Sequence, residues 1–102
     1  MSGISTHVLD IATGRPAAGI KVRLFFGHDA VAAGITDGNG RIQSLLSAPN
    51  PGTYRMLFET ESYFPDSFYP EVSVWFIVRD PSAHYHIPLL LSPFGYTTYR
   101  GS

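Results

Sequence analysis

Residues 20–26, IKVRLFF, alternate with a period of two: Ile20, Val22, Leu24 and Phe26 fall on one face, Lys21 and Arg23 on the other. Successive side chains of a strand point to opposite faces, so this spacing predicts a strand with one buried and one wet side. Residues 53–59 repeat the pattern and gather Tyr54, Met56 and Phe58. The run 30–36 is alanine-rich and weaker. It leads into Thr36-Asp37-Gly38-Asn39-Gly40, a turn in which glycine takes positive φ at little cost, and Arg41 opens a further short strand over 41–46. Residues 71–79 differ. Val72, Val74, Phe76 and Val78 line one face, while Trp75 and Ile77 occupy the middle of the other. A strand apolar on both faces is covered on both. The second cover is either another subunit or a small helix or loop of the same chain.

One short helix of one or two turns is expected after Thr60, with Thr60 as its cap, Glu61 inside it and Pro65 as its stop. Near the other end, His84 and His86 share a strand face, and Ile87, Leu89 and Leu91 take the opposite one. His86 therefore points away from the core, toward a surface or an interface. Residues 92–102, SPFGYTTYRGS, turn at Pro93 and Gly95 and are read as a final strand carrying Tyr96, Tyr99 and Arg100. Chain ends are usually polar and frayed. This one is aromatic, so it is expected to be docked.

About eight strands joined by Gly/Pro turns, without repeats or low-complexity tracts, predict an all-β sandwich of one domain over residues 1–102. An apolar share of 44% in 102 residues supports a packed core and argues against disorder. Seven basic residues against eight acidic ones leave a net charge of −1, which disfavours electrostatic nucleic-acid binding. With no cysteine, disulfide scaffolds, thiolate zinc sites and cysteine nucleophiles are all excluded. The longest apolar stretch, around Val72 to Val78, is too short to span a bilayer. MSGISTHVLD lacks the charged-then-apolar profile of a secretory signal, so the expected location is the cytoplasm, away from membranes.

The candidate chemistry lies in the histidines. His84 and His86, with His7 as a third, could ligate zinc, but a single H-x-H is a weak signal and surface histidines commonly have no special role. His7 can equally be a satisfied polar side chain, and Arg41 a solvated loop arginine. Neither a nucleophile elbow nor a phosphate-binding loop is present. Composition and spacing carry the reading as far as a sandwich with polar groups able to converge.

The segments STHVLDIATGRPAAGIKVRL, TDGNGR and HYHIPLLLSPFGYTTYRGS, in that order from residue 5 to the last, resemble the 5-hydroxyisourate hydrolases, the transthyretin-related enzymes of urate degradation. The ending Y-R-G-S is the specific part, because transthyretin proper shares the fold and lacks it. Asn39 departs from the pattern, standing where the family commonly has aspartate; a change in turn hydrogen bonding is expected from it, with the chemistry unaffected. The resemblance implies a transthyretin-like (prealbumin-like) sandwich of two four-stranded sheets with one short helix, assembled as a homotetramer, a dimer of dimers. It places active sites in a channel between the dimers and implies no cofactor and no metal. It assigns His7, Arg41 and His86 to catalysis, and His7, Arg41, Tyr99, Arg100 and Ser102 to binding of 5-hydroxyisourate. The implied reaction hydrolyses that urate oxidation product to 2-oxo-4-hydroxy-4-carboxy-5-ureidoimidazoline. Two rival readings remain: a non-catalytic transthyretin-like carrier of a small ligand, and a structural module of a larger assembly.

Overall fold

The computed structural model describes residues 2–102 and consists of strands joined by turns. The strands are β1 (Gly3–Asp10), β2 (Arg15–Pro16), β3 (Lys21–Phe26), β4 (Asp29–Ile35), β5 (Arg41–Leu46), β6 (Gly52–Glu59), β7 (Val72–Val78), β8 (His84–Ser92) and β9 (Gly95–Thr98). Four of them form one sheet in the order β4-β3-β6-β7, entirely antiparallel. The other sheet runs β2-β1-β8-β9, and β5 joins it on β1. It therefore has five strands where four were expected, because the two-residue β2 and the longer β5 share β1. β2 pairs at Leu9 and Asp10, and β5 between Ile4 and His7.

The core is the space between the sheets. The alternation of residues 20–26 and 53–59 is realised there: Val22, Leu24, Tyr54, Met56 and Phe58 are buried, facing Ile4, Val8, Ile87, Leu89 and Leu91 of the other sheet. Each such side chain contributes roughly 1.5–3 kcal/mol on burial. β1 and β8 form a parallel pair, with Ser5 opposite His86 and His7 opposite Pro88. Since odd positions of β1 and even positions of β8 face away from the core, Ser5, His7, His84 and His86 share the outer face of the five-stranded sheet.

Two further expectations need correction. No helix follows Thr60; among the described residues the chain there makes only turns. The Thr60 hydroxyl donates to the Tyr69 carbonyl at 2.7 Å and ties the loop together from the inside, while Pro65 lies too close behind Thr60 for a helix to develop. A single turn closes through Phe64 N–H to the Thr60 carbonyl before Pro65. The final strand also ends earlier than expected. β9 stops at Thr98, and Tyr99 and Arg100 lie beyond it, after which Gly101 returns to pair with His86.

Candidate active site

Arg41 is positioned by the turn that precedes it. The Asp37 carboxylate accepts the backbone N–H groups of Asn39 and Arg41 at 2.9 and 3.0 Å, and the Asp37 N–H donates to the Arg41 carbonyl. These backbone donors hold the Asp37 carboxyl below its ordinary pKa, with the Arg41 and His7 charges assisting. Asn39 thus enters the turn through its backbone. Gly40 has φ 75°, and a Cβ there would run into the Val8 carbonyl, while its own carbonyl accepts Val8 N–H at 2.7 Å. Only glycine fits so close to β1 with that backbone. The resulting register sets His7 directly opposite Arg41.

His86 is fixed on two sides. Its Nδ1 lies 2.8 Å from the Ser5 hydroxyl, and its carbonyl accepts Gly101 N–H at 2.8 Å. The same hydroxyl is 2.8 Å from His84 Nε2. Ser5, Thr6, Arg41, Gln43, His84, His86 and Ser102 line one open polar pocket of about 220 Å³. Burial lowers the His86 pKa, and the Arg41 charge lowers it further, followed by His7 and His84. Burial also lowers that of His7, again with help from Arg41, against a smaller opposing pull from the Asn39 backbone and Asp37. Both imidazoles are therefore biased toward the neutral form, the form that accepts a proton.

The tail divides between two sites. Ser102 reaches the polar pocket, but Tyr99 and Arg100 line a neighbouring groove of about 260 Å³ with Trp75, Ile77, Tyr85 and Ile87. The Arg100 guanidinium lies 4.5 Å from the Tyr85 ring centroid. Thus His7, Arg41, His86 and Ser102 converge within one chain, and Tyr99 and Arg100 sit to the side. Ser5, Gln43 and Gly101 belong to the site and have no role assigned by the sequence; Ser5 and Gly101 do lie inside the quoted S-T-H-V-L-D and Y-R-G-S segments, whereas Gln43 carries no sequence signal. Among the described residues, no three His, Asp or Glu side chains gather as a metal-holding group.

The HIUase/Transthyretin family model matches residues 4–101. The chain belongs to that family. It is 45% identical to the 5-hydroxyisourate hydrolase of Salmonella typhimurium over 109 residues, covering 97% of this chain and 80% of that protein. The solved 5-hydroxyisourate hydrolase of Klebsiella pneumoniae superposes with a TM-score of 0.91 at 37% identity, covering 99% of this chain and all of the other. Sea bream transthyretin, solved with thyroxine, superposes at 0.87 and 30% identity, over 96% and 93% of the two chains. The transthyretin-like sandwich expected from the sequence is therefore the fold, and both a 5-hydroxyisourate hydrolase and a transthyretin solved with thyroxine share it.

Proposed function

We propose that this chain is a 5-hydroxyisourate hydrolase of urate degradation. The observation that carries the proposal is the convergence of His86, Arg41 and Ser102 in one polar pocket, with His7 across from Arg41. The identity to named hydrolases supports it, as does the packing of the Y-R-G-S ending against His86. In the reaction water adds to a ring carbonyl, the carbon–nitrogen bond breaks, and the leaving nitrogen takes a proton. Neutral His7 and His86 share the proton transfers and position the water. Arg41, with its fork of donors, holds the oxygen-rich substrate and stabilises the developing oxyanion. Ser102 adds a polar contact, and Tyr99 and Arg100 complete the binding site from the groove beside it.

The same reading includes a homotetramer, built as a dimer of dimers. β7 and β9 end their sheets on open edges, and open edges seek partner strands. Trp75 and Ile77 are 57% and 48% exposed on β7, and among the described residues no loop covers them.

Urate oxidase generates 5-hydroxyisourate in solution, where its ultraviolet absorbance decays spontaneously. The purified protein should accelerate that decay in proportion to its concentration. A decay unchanged by the protein, together with tight binding of thyroxine, would replace the hydrolase with a carrier.

A further inference from the structure

We propose that Ser5 is a positioning residue that holds His86 as its Nδ1–H tautomer, leaving Nε2 free as the proton acceptor in the pocket. The inference deepens the hydrolase reading and rests on it. Ser5 stands opposite His86 in the β1–β8 pair and is only 5% exposed. Its hydroxyl contacts His86 Nδ1 and His84 Nε2, each at 2.8 Å. A hydroxyl has one proton and sits here between two ring nitrogens, so it can donate to one and accept from the other.

Two arrangements of this chain leave His86 in different chemical states. In one, His86 Nδ1–H donates to Ser5 Oγ and the Ser5 hydroxyl donates to His84 Nε2, so His86 Nε2 carries a lone pair. In the other the direction reverses, and Nε2 carries the proton. Were both rings to donate to Ser5, His86 would again keep its proton on Nδ1.

The surroundings select the lone pair. With Nδ1 against Ser5 and the Cδ2 edge against Gly101, Nε2 is the nitrogen left for the pocket. The titratable and charged groups around His86 are His84 on its own strand, His7 on β1 and Arg41 on β5. Ser102 lines the pocket from the tail. Beside the Arg41 guanidinium a lone pair is favoured over a second N–H. Exposed His84 ends the hydrogen-bond chain as the acceptor of the Ser5 proton. It acts through Ser5 and has no need to touch substrate.

Two-bond proton–nitrogen correlation spectra of the imidazole ¹⁵N-labelled protein read the tautomer directly. In the parent protein His86 should show a protonated Nδ1 and a bare Nε2. In Ser5→Ala the two tautomers should mix, and kcat for 5-hydroxyisourate should fall about tenfold or more with KM little changed. His84→Ala removes only an exposed ring and should shift the tautomers in the same direction. That variant carries the test if Ser5→Ala does not fold. A proton on Nε2 in the parent, or a His86 spectrum indifferent to both substitutions, would overturn the assignment. A bare Nε2 lost in the variants of a protein with no hydrolase activity would uphold the Ser5 role and sink the function.

Discussion

Gly101 lies against the edge of the His86 imidazole so closely that a Cβ on Gly101 would stand 2.6 Å from His86 Cδ2 and 3.1 Å from Pro88 Cγ. The glycine is required here by proximity, not by its dihedral angles. Gly101→Ala should therefore push the ring off its contact with Ser5 or lift the tail from β8. The expected outcome is a large loss of 5-hydroxyisourate turnover with a melting temperature lowered by only a few degrees, since a tail residue contributes little burial. Thermal melts and the decay assay on the same preparation check this.

The two histidines of H-Y-H should differ in importance. Both line the polar pocket, but His86 is half-buried, whereas His84 is exposed and reaches His86 through Ser5. His86→Gln should reduce kcat by about 100-fold or more, the usual scale for a lost acid–base group. His84→Gln should be milder, because the glutamine carbonyl oxygen can still accept the Ser5 proton. Steady-state rates for the two variants give the comparison, and equal losses would contradict it.

Acid should act on both activity and stability in a defined direction. Burial, seconded by Arg41, lowers the pKa of His86 and of His7 below 6.5. The proton-accepting forms thus persist below that value, and the acidic limb of kcat/KM should lie on the acid side of 6.5. For stability, the unfolded chain binds protons on these histidines more readily than the folded one. Stability is then undiminished above pH 6.5 and declines as the pH falls from there through the lowered folded values. Denaturant midpoints at a series of pH values should show this slope, and it should flatten in His7→Gln and His86→Gln.

Assembly is expected to depend on the outer face of β7. If the proposed tetramer forms, Trp75→Asp combined with Ile77→Asp should lower the mass measured by light scattering from that of four chains to a smaller species. The fold itself should survive, because both side chains point away from the core that Val72 and Val78 enter. An unchanged mass would show that other surfaces hold the subunits together.

The parts of the fold legible in the sequence are those in which one strand face is wet and the other dry. Residues 20–26 show it: Lys21 and Arg23 are exposed and Val22 and Leu24 fully buried. His86 was legible in the same way, as the outward neighbour of Ile87 and Leu89. No helix follows Thr60 because the residues that begin a helix also begin a turn: one turn closes from Phe64 N–H onto the Thr60 carbonyl, Pro65 ends it, and the Thr60 hydroxyl is spent on holding the loop through the Tyr69 carbonyl. Ser5 and Gly101 escaped notice for a related reason. Periodicity assigns a residue to a face but not to a partner, and the partner of both is His86. Tyr99 and Arg100 were placed on the last strand because nothing local marks Thr98 as its end.

The parallel pairing of β1 with β8 joins segments about eighty positions apart, and the site lies along that seam. A chain emerging from the ribosome exposes His7 early and can set it beside Arg41 once the Asp37 turn has formed. It cannot bring Ser5 to His86 until β8 has been synthesised, nor lock the ring until Gly101 follows. A chain interrupted before β8 therefore has His7 and Arg41 but neither His86 nor the Ser5 contact that fixes it. The site is in this sense a test of the β1–β8 pairing, since no shorter-range contact can stand in for it.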